Sequence, residues 1–277
     1  MLIGCIALVS ALVALAVCGL TGAFASLAWL WVLPLVFAAG VAVLAGCVFG
    51  FLMILCRRVD QSVPQEKDDP LYRAMADLII ESVVPILRIR VTSKGMDKVP
   101  QSGRFMLVCN HCNDSDPIML LKCFKKSQLA FISKKENQSM FVIGPMMHKL
   151  QCQLINREND REALKTILNC IKILKEDKAS IAVFPEGGIL SNDGKLHHFR
   201  PGVFKIAQKA KVPIVVCTLR NTKDVVHNLL RYKPSHVEMH VVQTISAEEL
   251  ADVTTVDIAQ RCYELMAEDL GPELVAD

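Results

Sequence analysis

The first 56 residues of this 277-residue chain, Met1 to Cys56, contain no Asp, Glu, Lys or Arg. The 31 basic and 28 acidic side chains all fall in the remaining 221 residues, about 27% of which are charged, as in an ordinary soluble domain. No second apolar run approaches the ~20 residues that a membrane crossing needs, which excludes a polytopic transporter. No run of five or more basic residues occurs, and the net charge is only +3, so composition gives no support for a nucleic-acid partner. A repeating cysteine framework is also missing. The 11 cysteines are odd in number and lie mostly among apolar neighbours, which suits a reducing compartment better than a secreted disulfide scaffold. Cys109 and Cys112 have C-x-x-C spacing, but no second pair completes a zinc site, and no metal is expected. The sequence has no G-x-S-x-G elbow either.

What is present falls into two parts. Apolar residues make up 46 of the first 56 positions. A single helix of that length would be ~84 Å long, against a bilayer core of ~30 Å. Two transmembrane helices, near Leu2–Thr21 and Leu27–Leu55, fit better, with a turn at Gly22–Ser26 and an interfacial pair at Trp29 and Trp31. Arg57-Arg58 follows directly and places that end, with the rest of the chain, in the cytoplasm. Ala23-Phe24-Ala25 resembles a signal-peptidase site, but no charged segment precedes it and about 30 apolar residues follow. The expected organisation is a membrane anchor over 1–56, a polar linker over 57–70 and one domain over 71–277.

That domain reads as α/β, a mostly parallel sheet covered by helices, because short apolar runs alternate with helical patterns. Strands are expected at Ile89–Thr92, Phe105–Cys109, Leu129–Ile132, Gln153–Ile155, Ile181–Phe184, Ile214–Leu219 and Val237–Val242. Helices are expected at Leu71–Leu87, Ile118–Phe124, Val142–His148, Asp160–Glu176, Val203–Ala210 and Val256–Leu270. The first of these opens on Asp69-Pro70, is limited by Pro85, and packs on the core or on a membrane surface, with the core favoured.

In such sheets ligands bind at the carboxyl ends of strands. Four strand ends carry chemistry. Asn110-His111 with Asp116 puts an imidazole and a carboxylate in one loop, where the carboxylate can hold one tautomer and leave the other ring nitrogen to accept a proton. The alternative is a loop histidine beside a helix-capping aspartate. Leu154-Ile155-Asn156-Arg157 ends in a guanidinium suited to phosphate, or simply to Glu158 or Asp160. Phe184-Pro185-Glu186-Gly187 ends a strand in a flexible turn with one carboxylate, and Val212-Pro213-Ile214-Val215-Val216 reads as a buried strand.

Together and in this order, the four segments resemble the glycerolipid acyltransferase family, closest to the bacterial 1-acylglycerol-3-phosphate (lysophosphatidic acid) acyltransferases. Ile132-Ser133-Lys134-Lys135-Glu136 resembles a further family stretch. The resemblance covers roughly Ile89 to Val242. It implies His111 as general base, Asp116 as its orienting partner, Lys134 and Arg157 as phosphate ligands of the acceptor, and Glu186 and Gly187 as positioners of the glycerol backbone. It also implies a lysophospholipid acceptor in the membrane, acyl-CoA or acyl carrier protein as donor substrate, and no cofactor. In one place the chain departs from the family. Where the family continues Glu-Gly-Thr-Arg, this chain has Gly188-Ile189, and Lys195 and Arg200 are the nearby cations able to substitute. Cys112 beside the base offers an acyl-enzyme route, with direct transfer favoured. Other readings remain: a different acceptor such as glycerol-3-phosphate, a membrane-tethered metal-dependent hydrolase built on His111, Asp114, Asp116 and Glu186, or an inactive scaffold.

Overall fold

In the computed structural model, residues 2–156, 159–191 and 193–276 are described. The chain divides into two compact units, Met1–Gln61 and Ser62–Asp277. The first unit is a pair of helices, α1 (Leu2–Leu20) and α2 (Trp29–Arg57), joined through a short 3₁₀ turn at Ala23–Ala25. Gly22, at φ 67°, supplies the left-handed residue that ends α1. Both helices are long and apolar enough to cross a membrane. Helix α1 buries Ser10, Ala14 and Cys18 at four-residue spacing. Gly40 of α2 lies so close to Ser10 that a Cβ there would come within 3.1 Å of its side chain. Small residues at this spacing let helix backbones approach each other where lipid removes the usual hydrophobic drive.

The second unit is built on seven strands: β1 (Ile89–Lys94), β2 (Met106–Cys109), β3 (Leu129–Lys134), β4 (Gln153–Ile155), β5 (Ser180–Val183), β6 (Ile214–Arg220) and β7 (Ser235–Ile245). Their order across the sheet is β1-β7-β6-β2-β5-β3-β4. Every neighbouring pair is parallel except β6 and β7. The expected mostly parallel sheet is present, with β1 and β7 running against the other five. Strand β7 extends beyond its expected ends because it pairs along the whole of β6, with a register shift at Val216/Cys217.

The central strands are apolar on both faces, as sheets covered on both sides require. Met106 and Val108 of β2 join the core under α6 (Asp160–Lys175), α7 (Lys205–Ala210) and α9 (Thr255–Leu270). Leu107 and Cys109 join the core under α3 (Pro70–Ile86), α4 (Asp116–Cys123) and α8 (Val225–Leu230). A further short helix, α5 (Ile143–Lys149), lies between β3 and β4 in the chain. The caps follow from sequence. Asp69 accepts from Leu71 N and Tyr72 N with Pro70 at the first turn of α3, and Asn159 accepts from Arg161 N and Glu162 N to start α6.

Helix α3 packs on the domain, as favoured above. Ile80 and Val84 are in the core, and Arg73 reaches inward to bond both oxygens of the buried Asp68 (2.7 and 3.1 Å) and the Leu129 carbonyl (3.0 Å). Removing one member of such a buried pair costs roughly 3–5 kcal/mol. The outer face of α3 leaves Leu71, Val83 and Ile86 exposed. Two local expectations change. The run expected as one helix over Val203–Ala210 is a 3₁₀ turn, Pro201–Phe204, leading into the shorter α7, because Pro201 sets a tight first turn. Helix α8 was not expected; its six residues bury only Val225 and show no helical periodicity.

Candidate active site

Strand β2 delivers Asn110 and His111 to the carboxyl edge of the sheet, between β6 and β5. Asn110 behaves as one more rung of the ladder: its side chain donates to the Leu219 carbonyl (2.9 Å) and accepts from Leu219 N (2.7 Å). This fixes where the strand ends and the loop begins. His111 then turns its ring over Phe184, the residue after β5, with ring centroids 4.0 Å apart and planes 16° from parallel.

Asp116 folds back onto this loop from the first turn of α4. Its Oδ2 lies 3.0 Å from His111 Nδ1 and accepts from Cys112 N (2.8 Å) and Asn113 N (2.9 Å). The capping position belongs instead to Ser115, whose side chain makes no cap bond. A carboxylate can only accept, so Nδ1 carries the proton in this arrangement and Nε2 is left with its lone pair. The carboxylate is fully buried, and the imidazole is 14% exposed, enough to meet a substrate. This is the geometry of a general base held in one tautomer.

Glu186 takes a place that sequence reasoning did not foresee. It is buried, and its two oxygens accept from backbone N–H groups: Oε1 from His111 (2.7 Å) and Oε2 from His197 (3.1 Å). The carboxylate ties the His111 loop to the segment of His197. Burial lifts its pKa to about 7 against the pull of these two donors, with Asp116 and Asp193 adding to the rise. Its partners lie 75 and 11 residues away in sequence, so no local signal could reveal them.

Gly187 adopts φ 84°, a left-handed conformation that favours glycine. A Cβ on it would come within 2.7 Å of Nε of Arg200, whose own backbone N–H bonds the Pro185 carbonyl. The exposed Arg200 guanidinium therefore lies against Gly187 of the Pro-Glu-Gly turn.

Of the two expected phosphate ligands, Lys134 lies toward the other edge. Lys134 ends β3, exposed, and is paired in register with Ile155 of β4. Asn156 follows, donating to Glu162 Oε2 (3.0 Å). Arg157 and its neighbour Glu158 lie outside the described residues.

Cys112 sits in the same loop, half-buried, with its thiol pushed up to about 12 by burial and by Asp116 and Glu186. A thiol so protonated at neutral pH is a poor nucleophile. Among the described residues no three His, Cys, Asp or Glu side chains are grouped to hold a metal ion. Asp116 Oδ2 and both Glu186 oxygens are engaged by N–H donors, and Asp114 is exposed. A second His–Asp pair lies elsewhere: His240 Nδ1 is 2.6 Å from Asp269, which also accepts from Thr218 (2.5 Å) and ties the end of α9 to β6 and β7.

Residues 90–220 match the family model described as Acyltransferase. A Mycoplasma pneumoniae protein named as a probable 1-acyl-sn-glycerol-3-phosphate acyltransferase is 27% identical over 183 residues, covering 64% of this chain and 67% of that protein. A Mycoplasma genitalium protein of the same name is 34% identical over 124 residues, covering 43% of this chain and 45% of that protein. The match thus spans between about half and two thirds of these curated relatives. A crystal structure of the 1-acyl-sn-glycerophosphate (LPA) acyltransferase from Thermotoga maritima superposes with a TM-score of 0.58 at 20% identity, covering 78% of this chain and 87% of that one, and shows that the two share a fold.

Proposed function

We propose that this chain, whose residues 90–220 match the Acyltransferase family model, transfers a fatty acyl group to the free hydroxyl of 1-acylglycerol-3-phosphate, giving phosphatidic acid. The observation that carries the reading is the His111–Asp116 pair at the carboxyl end of β2, with Nδ1 held by the carboxylate. An acyl thioester is already a good electrophile. The acceptor hydroxyl is not acidic and needs a base as it attacks. His111 Nε2 takes the hydroxyl proton while the oxygen bonds the thioester carbonyl carbon. The tetrahedral intermediate then collapses, the carbon–sulfur bond breaks, and the imidazolium returns the proton to the leaving thiolate. Asp116 stabilises the imidazolium throughout. Acyl-CoA and acyl carrier protein both provide such a thioester.

In this reading Lys134 and Arg157 hold the acceptor phosphate. Glu186 positions the base's loop through its two backbone bonds. Arg200 supplies a guanidinium next to Gly187 in a turn where Ile189 offers none. The two apolar helices anchor the enzyme in the bilayer where acceptor and product reside, and Arg57-Arg58 keeps the catalytic unit on the cytoplasmic side.

The test is a panel of acceptors with labelled acyl donor in membranes bearing the full chain. The reading expects label in phosphatidic acid with 1-acylglycerol-3-phosphate. Strong labelling with glycerol-3-phosphate or another lysolipid instead would move the acceptor assignment, a second reading that the Ile189 departure favours. No transfer to any acceptor would end the enzyme assignment.

A further inference from the structure

The rim of the second unit beside the His111 loop carries exposed apolar side chains. In α8 and the turn after it, Val226 is 54%, Leu230 77% and Tyr232 80% exposed. Ile86, at the end of α3, is 62% exposed. The two segments are neighbours, because Arg88 donates to the Tyr232 carbonyl (2.7 Å) and its guanidinium lies 6.0 Å from the Tyr232 ring centroid. Strand pairing continues this contact, with Ile89 opposite Ser235. The patch also borders the base's loop, since Asn113 Nδ2 donates to the Lys223 carbonyl (3.4 Å), one residue short of the α8 cap at Asp224.

The charges around this rim are uneven. Arg88, Arg231 and Lys233 are exposed among the apolar residues. The acids close by are Asp224, at the start of α8, the exposed Asp114 in the bordering loop, and Glu81, which is paired to Lys122 (2.9 Å). Apolar side chains, a tyrosine and a surplus of cations are the composition that lies in the interface of an anionic bilayer. The same chain carries two helices long and apolar enough to cross a membrane, separated from α3 by only a short segment, so a bilayer is held at high effective concentration. From this juxtaposition we infer that the rim formed by Ile86, Val226, Leu230 and Tyr232 docks on the surface of an anionic lipid leaflet. It thereby presents the His111 loop to lipid. The consequence for delivery of a membrane-resident acceptor rests on the function proposed above; the docking itself does not.

Two measurements on the full chain in nanodiscs test this. A photo-crosslinking amino acid is placed at Leu230, with Lys172 on α6, exposed on the opposite helical layer, as control. Lipid adducts are expected at position 230 and are several-fold more abundant in phosphatidylglycerol than in phosphatidylcholine discs, with few at 172. No lipid adduct at 230, or adducts to protein only, overturns the inference; adducts to a second copy would assign the rim to self-association. In the second measurement, the variant carrying Leu230→Ser and Tyr232→Ser is assayed with a bilayer-embedded acceptor and with a short-chain acceptor dissolved as monomer. A roughly tenfold loss confined to the bilayer acceptor is expected. Equal rates on both acceptors in variant and parent overturn the delivery role. Inactivity of the parent on both defeats the proposed reaction and leaves the crosslinking result to decide docking.

Discussion

The loop after β2 and the edge formed by β3 and β4 carry the two halves of the proposed site, and they are built in opposite ways. Around His111, Asp116 Oδ2 meets three nitrogens and Glu186 bridges two backbone N–H groups, all within 3.1 Å. At the other edge, Lys134 is exposed and β4 is three residues long. A group that must move a proton in the transition state gains from being held in one tautomer and one place. A cation that neutralises a mobile phosphate gains little from rigidity, since charge attraction falls off slowly with distance. On the function proposed above, precision is concentrated at the base and the head group is left to the more exposed edge.

The comparison predicts a ranking of substitutions. His111→Ala should have the largest effect, a loss of 10²–10⁴-fold in kcat or more with little change in Tm, if the ring acts as the proposed base. Near-normal turnover in the purified variant would remove the base assignment. Asp116→Asn follows, since an amide in place of Oδ2 can present a donor to Nδ1 and favour the wrong tautomer. Its kcat should fall by well over tenfold, and a smaller fall would reduce Asp116 to a loop brace. For Arg157→Ala the loss should appear in KM for the phosphorylated acceptor, worth roughly 2–5 kcal/mol, with donor KM steady and Arg157→Lys only a partial rescue. Equal shifts for both substrates would take Arg157 out of the acceptor site.

Glu186 separates clamp from ligand. Its carboxyl holds a proton up to about pH 7 in the folded protein, against about 4.5 when unfolded. Between those values the folded state binds more protons, so this site's contribution to stability is full below about 4.5 and is lost as pH rises toward 7, by ~3 kcal/mol. Denaturation of Glu186→Gln across this range should show a flatter pH dependence than the parent, and parallel curves would place the proton elsewhere. As a clamp, Glu186 should also affect kcat more than acceptor KM. Lys134→Ala, at the exposed edge, should have the smallest effect, about 1 kcal/mol in acceptor KM and none in stability. A loss in kcat instead would mean that this edge is as organised as the base's loop.

What could be read in the sequence was what is local. His111 and Asp116 are five residues apart, within reach of a single turn, so their pairing followed from spacing and residue type. The strands could be read because the apolar runs of β2, β3, β5 and β6 are continuous and bounded by turn residues, while β7 alternates apolar with polar. Glu186 could not be assigned its clamp, nor Asn110 its rung on Leu219, since each partner lies across the sheet at a separation fixed only by the strand order. The same holds for His240 and Asp269, 29 residues apart on β7 and α9. Helix α8 was hidden for a different reason. A helix whose outward face is apolar gives no amphipathic signal, and that face is the one assigned above to lipid.

The borders of the sheet have a consequence for life in a plane. At one border, β1 carries exposed Arg90 and Lys94; at the other, β4 offers only three residues. Charged or very short border strands give a neighbouring chain little to pair with. Molecules confined to two dimensions meet far more often than the same number in solution. A long, uncharged border would then invite chains to zip together edge to edge, and these blunt borders close that route.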